Sequence, residues 1–418
     1  MKIRTLSCGD ELHKYKKSLV LYFRGKRRVV STGLNHGGCR EDLQAVFNND
    51  GNPGPGMEFR MRAPTYREHL DIIAAEDLGL DPEKCTGFCT AASMDNAAIQ
   101  TMEQEYFTVT AIVTGGIEGN GARIGDPASY TEIPENIQTD AVKPGTINII
   151  LHIDADLPHG TLTKAMVSCA EAKVAAIQEL LAVSRYSRGL ATGSGTDGII
   201  VVCNPESGNT LTDAGHHSLL GEAIGRTVKK AVKEALERQT GLNPQKQHDI
   251  IRRMDRFGVT SDTLWALYRS DLKSRDVPSE RQPEKMSASD GHMSGLSAGL
   301  PRYEFENRLD RLKQDDMLVT YTSLYAHLLD QLDWGLLGPE EAWKAGEKIL
   351  ELAGLAEADT VFKSAETGMK NTDAAEEDGS PVQKDSDPDP VSCMVRCYME
   401  RLITCVIKRG ETGGERNA

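Results

Sequence analysis

Aromatic residues are scarce in this chain, at 5%. Stacking platforms for single-stranded nucleic acid need aromatic faces, so that class of partner is disfavoured. Positive charge is no better supplied. The formal net charge is −14, and lysine and arginine form no long stripe, which argues against any nucleic-acid partner. No apolar run reaches the length of a membrane-spanning helix. Met1 to Lys17 is polar and charged and lacks a signal-peptide core, so a cytoplasmic location is expected. The sequence has no H-E-x-x-H. Among its nine cysteines, Cys85-x3-Cys89 and Cys393-x3-Cys397 have no partner pairs at zinc spacing. Cys169 and Cys203 lie in apolar segments and read as small core residues.

Glycine is plentiful, and one cluster needs explaining. In RGLATGSGTDGIIVVCNPES (188–207), Gly193, Gly195 and Gly198 have G-x-G-x-x-G spacing. A dinucleotide fingerprint of this kind must open a helix, whose N-terminus meets the pyrophosphate. Here the next residues are Ile199 to Cys203, a short β-branched run that reads as a buried strand. It ends at Asn204-Pro205, a turn signal. The lysine of a P-loop is missing too. That context argues against a nucleotide at this loop.

The 418 residues divide by character. Residues 1–242 read as one globular α/β unit, a mixed sheet layered with helices. Ser18 to Phe23 and Arg28 to Thr32 flank Gly25 as in a hairpin, and a helix is expected near Ala91. Phe107, Val109, Ala111 and Val113 alternate as in a strand, and Thr146 to Ile153 reads as another. Gly160 to Ala182 and Ser218 to Gln239 are long helical runs, the second with Gly241 as its stop. Residues 243–355 form an all-α accessory region, with a mobile loop expected at about 274–300. An acidic linker, expected to be disordered, follows at 356–391, and then a short helix and tail at 392–418.

Four loops rich in glycine, threonine and asparagine adjoin these strands: Asn35 to Gly38, Gly115 to Asp126, Lys143 to Asn148, and Thr192 to Gly198. Glycine there allows close backbone approach to a ligand. Four such loops in one unit point to a shared polar site. Ser194, Thr196 and Thr192 offer hydroxyls, and Asp197 could orient a water or a base, or simply bond its own turn. His217, just before a helix that Ser218 can cap, is a candidate general base. Glu171, among small apolar residues, is either a buried carboxylate or part of an exposed face.

The ordered segments TGFCTAASMDNAAI (86–99), TAIVTGGIEGNGARIGDPA (110–128), GTINIILHIDADLPHGTLTKAMVSCAEAKVAAIQEL (145–180), GLATGSGTDGIIVVC (189–203) and AGHHSLLGEAIGRTVKKAVKEAL (214–236) resemble the adenosylcobinamide amidohydrolase family over about residues 15–240. The match is uneven at two places. Ser194 stands where the family usually has threonine, and His216 precedes the histidine that aligns, His217. The resemblance implies hydrolysis of the amide joining aminopropanol to the corrin ring, releasing adenosylcobyric acid in corrinoid salvage for coenzyme B12 synthesis. Asp197, His217, Ser194, Thr196 and Glu171 are then candidates for catalysis. Asn35, Asn120, Asn148, Thr192, Gly193 and Gly195 are candidates for holding the corrinoid substrate. No cofactor is expected to be required. Asp126, Asp154, Asp156, Glu171 and Asp197 are the residues that could instead meet around a hard cation. A corrinoid-binding protein without catalysis, and a nucleotide-dependent transferase, are the competing classes.

Overall fold

The computed structural model describes residues 1–54, 57–128, 145–275, 299–355 and 389–408. It divides into two compact units, Met1–Gln247 and His248–Ala418. The expected mobile loop, apart from its ends, and almost all of the acidic linker lie outside the described residues.

Unit 1 contains two sheets. The first, in spatial order, is β1 (Lys2–Thr5), β2 (Glu11–Lys14), β3 (Ser18–Tyr22), β6 (Ala45–Asp50) and β7 (Cys85–Thr90). The second is β5 (Gly38–Arg40), β4 (Arg28–Ser31), β13 (Gly198–Cys203), β11 (Thr146–Ile153), β9 (Thr108–Gly116) and β8 (Ala98–Glu103). Both mix parallel and antiparallel pairs. A two-residue pair, β10 (Gly121–Ala122) with β12 (Gly193–Ser194), completes the set. Two βαβ crossovers supply the parallel pairs. One joins β6 to β7 through α1 (Tyr66–Ile72) and its π-helical continuation, Ile73–Asp77. The other joins β11 to β13 through α2 (His159–Glu179). The next long helix is α3 (Leu219–Thr240), and α4 (Pro244–Gln247) ends the unit.

Side-chain alternation stacks these elements in four layers. On β11, Ile147, Ile149, Leu151 and Ile153 join the core that includes Leu162, Ala165, Cys169, Ile224 and Val228 of α2 and α3. Ile150, on the other face, joins Leu19, Leu21, Val46, Ile112 and Val202 between the sheets. The outer face of the first sheet packs Val20, Phe47 and Cys85 on Leu70, Ile73 and Ala74. The order is thus helix, sheet, sheet, helices.

Two local expectations are corrected. Ser18–Tyr22 and Arg28–Ser31 are not a hairpin, because β3 bonds β2 and β6 while β4 bonds β13 and β5 in the other sheet. The turn at Gly25 carries the chain between sheets. Near Ala91 there is a single 3₁₀ turn, Met94–Asn96, instead of a helix. Ser93 caps it, and Ala98 then enters β8, whose pairing with β9 takes up the backbone bonds.

Unit 2 is helical: α5 (Ile250–Met254), α6 (Ser261–Arg275), α7 (Arg302–Leu312), α8 (Asp316–Asp333), α9 (Pro339–Leu352) and α10 (Pro390–Lys408). Its core gathers Phe305, Leu309, Tyr325, Leu329, Tyr398 and Leu402. Arg256 makes a two-pronged pair with Asp330 inside it. Among the described residues no helix is long and apolar enough to cross a membrane.

The first turn of α3 packs tightly on the turn that precedes it. Ser218 Oγ caps the helix by accepting from Gly221 N (2.9 Å), and Gly241 ends it at φ 69°. A Cβ on Gly221 would lie 1.9 Å from the Gly215 carbonyl oxygen, whereas one on Gly225 would meet nothing within 4 Å. The two glycines of one helix should therefore respond oppositely to alanine. Gly221→Ala forces backbone apart and is expected to cost about 1–3 kcal/mol. Gly225→Ala should add roughly 0.5–1 kcal/mol through helix propensity. Thermal denaturation of both variants checks the sign; equal effects would mean that α3 does not touch the Gly215 turn.

Candidate active site

The register of the second sheet brings the four glycine-rich loops to one end, although Lys143 and Pro144 of the third lie outside the described residues. Gly116 lies opposite Thr146, Asn148 beside Gly198, and Ser31 opposite Ile200. The loops following β4 and β9 therefore meet those preceding β11 and β13. They are also bonded together. Gly121 and Ala122 pair with Ser194 and Gly193. Thr196 Oγ1 donates to the Gly145 carbonyl (2.9 Å), as does Asn120 Nδ2 (3.1 Å). Ile199 N–H donates to Thr32 Oγ1 (3.0 Å).

Asp197 is the hub of this end. Its Oδ1 accepts from Ser194 Oγ (2.7 Å) and from Ile147 N–H (2.8 Å), and its Oδ2 accepts from Ser194 N–H (3.1 Å) and the Lys173 ammonium. The side chains of Asp197 and Lys173 are 9% and 11% exposed, so this ion pair is close to fully desolvated. Gly193 makes room for it: a Cβ there would lie 2.3 Å from Asp197 Oδ2 and 2.7 Å from Lys173 Nζ. Gly195 is exposed and touches nothing comparable. The polar stretch continues between the sheets through Thr146 Oγ1 to the Thr196 carbonyl (2.7 Å), Asn148 Nδ2 to Asn48 Oδ1 (3.0 Å), and Asn48 Nδ2 to Thr114 Oγ1 (2.7 Å).

Ser194, Thr196 and Asp197 are thus brought together with Thr192, whose Oγ1 accepts from Ile124 N–H (2.9 Å). The asparagines are buried and bonded to protein. Asn35 Oδ1 accepts from Gly87 N–H (3.1 Å), Asn120 Oδ1 from the Tyr186 hydroxyl (2.6 Å), and Asn148 bonds Asn48. Glu171 and His217 are not brought to the hub. Glu171 lies two residues before Lys173 on α2, about 200° around the helix. It faces outward and pairs with His216 (3.0 Å). His217 is exposed in the segment leaving the far end of β13. The five candidate cation ligands do not meet either. Asp126 bonds Ser184, Asp154 bonds Asn204, Asp156 bonds Arg28, Glu171 pairs with His216, and Asp197 bonds Lys173. Lys173 is the member of the hub that the sequence reading missed.

At the other end of β11 lies a second polar group, also missed. Asp10 (0% exposed), Arg27 (2%) and His152 (1%) are buried together. Arg27 clasps Asp10 with two bonds, Nε to Oδ2 (2.7 Å) and an Nη to Oδ1 (2.8 Å), and Arg24 N–H adds a third (2.8 Å). His152 Nε2 is 3.1 Å from Asp10 Oδ2 and 3.3 Å from Cys8 Sγ. Cys8, Asp10 and His152 place three donor atoms within 4.8 Å of one another, the reach of a metal ion. The fit to a cation is poor, because both Asp10 oxygens are already engaged by the Arg27 guanidinium, itself a positive charge at that spot.

Burial alone would raise the Asp10 pKa, but the bonds from His152 and Arg27 outweigh it and hold the carboxyl at about 2. Burial would likewise lower that of His152, but bonding to Asp10 and Cys8 prevails and lifts it to about 9. Each shift links folding to pH with its own sign. A raised imidazole contributes stability that is complete below its unfolded value near 6.5 and is lost as pH rises through 9. A depressed carboxyl contributes above its unfolded value near 3.9 and is lost as pH falls through 2. Unit 1 should therefore be most stable between about pH 4 and 6.5, weakening on both sides. Thermal melts across pH check this. In His152→Gln the loss between pH 6.5 and 9 should flatten; an unchanged slope would assign that arm to other groups.

Comparison with known proteins adds an independent line. The profile of the adenosylcobinamide amidohydrolase family matches residues 3–244. An uncharacterized protein of Methanocaldococcus jannaschii is 33% identical over 239 residues, 55% of this chain and 89% of that protein. An adenosylcobinamide amidohydrolase of Methanosarcina mazei is 28% identical over 229 residues, 53% and 96% of the two chains. One from Halobacterium salinarum is 26% identical over 243 residues, 58% and 92%. A crystal structure from Pyrococcus horikoshii covers 52% of this chain and 77% of its own at 14% identity, with a TM-score of 0.28. The matched span ends with unit 1, and through it the chain belongs to the adenosylcobinamide amidohydrolase family.

Proposed function

We propose that unit 1 hydrolyses the amide between aminopropanol and the corrin ring of adenosylcobinamide, giving adenosylcobyric acid and aminopropanol. The observation that carries this reading is the family match, which spans every loop at the Asp197 end. The geometry supports it by supplying groups that amide cleavage needs. Ser194 provides an attacking oxygen already bonded to a carboxylate, and Asp197 accepts its proton as the carbon–oxygen bond forms. The carbon–nitrogen bond then breaks as aminopropanol leaves with that proton, and water hydrolyses the resulting ester to the carboxylic acid and restores the serine hydroxyl. Lys173 compensates the Asp197 charge. The exposed Gly195-Thr196 stretch offers backbone and hydroxyl groups to a large substrate bearing many amides. The substrate is small-molecule, and no metal or other cofactor takes part in this scheme.

The test is incubation of the purified protein with adenosylcobinamide, followed by mass analysis for adenosylcobyric acid. Full-length protein and a 1–247 fragment should both form it. Tight binding without release of aminopropanol would instead make this a corrinoid carrier. Asp197→Asn and Ser194→Ala should each lower turnover at least tenfold, about 1.4 kcal/mol of transition-state stabilisation. Trapping of an acyl-enzyme on Ser194 is expected. Normal turnover in folded Ser194→Ala would transfer the attack to a water held by Asp197. Prolonged chelation should leave activity unchanged; loss restored by a single divalent metal would overturn the metal-free scheme.

A further inference from the structure

A cavity of about 440 Å³ opens on the outer face of the first sheet, within the range of about 300–1,000 Å³ that holds small ligands. Ser18 and Asn49 line it. They are paired across β3 and β6, and the strand period puts them on the outer face with Val20 and Phe47. Asn48 points the other way, to Thr114 between the sheets. The first sheet therefore separates this cavity from the inter-sheet space. His69 of α1 and Ile73 of its continuation line the side away from the sheet.

His69 is 4% exposed. The Arg62 backbone N–H donates to its Nδ1 (3.1 Å), so the ring proton of the neutral imidazole sits on Nε2. That Nε2 is buried and has no hydrogen-bond partner among the described residues. A buried donor left unpaired is costly, so this side chain calls for an acceptor. Its neighbour in the cavity wall is Phe59, which is 46% exposed and meets the imidazole edge-on, with ring centroids 5.6 Å apart.

Four cations line the opening, Lys16, Lys17, Arg60 and Arg62, with two carboxylates, Asp50 and Asp77. Both acids are engaged. Asp50 Oδ1 accepts from Asn52 N–H (2.8 Å), and Asp77 Oδ2 accepts from Arg62 Nη1 (2.7 Å). Arg62 also bonds Glu76, and Lys17 Nζ donates to the carbonyls of Asp50 and Asn52. Two cations are left available. Arg60 lies 3.9 Å from Glu58, but that pair is almost fully exposed and holds weakly. Lys16 has no ion-pair partner among the described residues. A phosphate monoester carries a charge of about −1.5 to −2 at pH 7 and several acceptor oxygens. That matches two available cations and one further N–H donor.

We propose that this cavity binds the phosphate monoester of a small organic molecule. Its oxygens accept from Lys16, Arg60 and His69 Nε2 as the half-exposed Phe59 ring gives way. Its organic part lies against Tyr15 and Leu78, which also line the space.

The test is equilibrium dialysis of the full-length protein against phenyl phosphate, inorganic phosphate and benzoate. Phenyl phosphate should bind at one site per chain with a Kd below about 1 mM. Inorganic phosphate lacks the organic part and benzoate lacks the second charge, so each should bind more weakly. Lys16→Ala and Arg60→Ala alter exposed side chains and leave the fold intact. Each should weaken phenyl phosphate binding about tenfold, the scale of one lost hydrogen bond to a charged group. His69→Phe should do the same where it folds. Undetectable binding, benzoate or inorganic phosphate held as tightly as phenyl phosphate, or full affinity in either exposed variant overturns the proposal. No arm uses a corrinoid or reads turnover, and no varied residue belongs to the Asp197 hub. Failure here therefore leaves the amidohydrolase reading standing, and the reverse also holds.

Discussion

The pleat of β11 governs the chemistry of unit 1. Its eight residues are all buried, so neither face is left to solvent. Alternation instead sorts them between two partners. The odd-numbered positions are Ile147, Ile149, Leu151 and Ile153, and they pack on α2 and α3. The even-numbered ones include Asn148, Ile150 and His152, which enter the space between the sheets. A one-residue slip would exchange the two sets and drive an amide and an imidazole into the helix-facing core. Register here is therefore fixed by hydrogen-bonding demand as well as by apolar burial.

Asp197 plays the corresponding part for the loops. Its carboxylate bonds Ile147 on β11, Ser194 in its own loop and Lys173 on α2. Three segments thus converge on one carboxylate. Removing it would leave the Lys173 ammonium, 11% exposed, without its acid, and breaking a buried pair from one side costs about 3–5 kcal/mol. Stability and activity at this end are consequently entangled. A loss of turnover on substitution says something about catalysis only when it exceeds what loosening of the loops accounts for.

Legibility in the sequence followed the range of the interactions. β11, α2 and α3 were readable because their patterns are local and long, and Ser218 and Gly241 are the caps that their residue types suggest. The first sheet was largely missed. Ala45–Asp50 and Cys85–Thr90 are short and half polar, and their pairing runs through a crossover. The false hairpin at Gly25 has the same origin, since adjacency in sequence does not say which sheet a strand joins. The hub was half legible. Asp197 and Ser194 stood out among glycines, while Lys173 looked like one more lysine on a helix. The Cys8 group had no local signature, with Cys8 and His152 separated by 144 positions. One clue was present. A histidine in TINIILHI breaks an isoleucine-rich run four residues after Asn148, on the same face of a strand. A polar residue placed there must find a buried partner.

The two polar ends can coexist because an apolar layer divides them. Groups more than about 7–10 Å apart with no shared partner contribute nearly additively, and the separation along β11 exceeds that. Neither end presses a large net charge on the other. Lys173 pairs with Asp197 at one end, and Arg27 pairs with Asp10 at the other. The sandwich needs only its middle, Leu21, Ile112, Ile150 and Val202, to be apolar for cohesion. That leaves both rims of the inter-sheet space free to carry polar groups, the Asp197 loops at one rim and the buried Asp10, Arg27 and His152 set at the other.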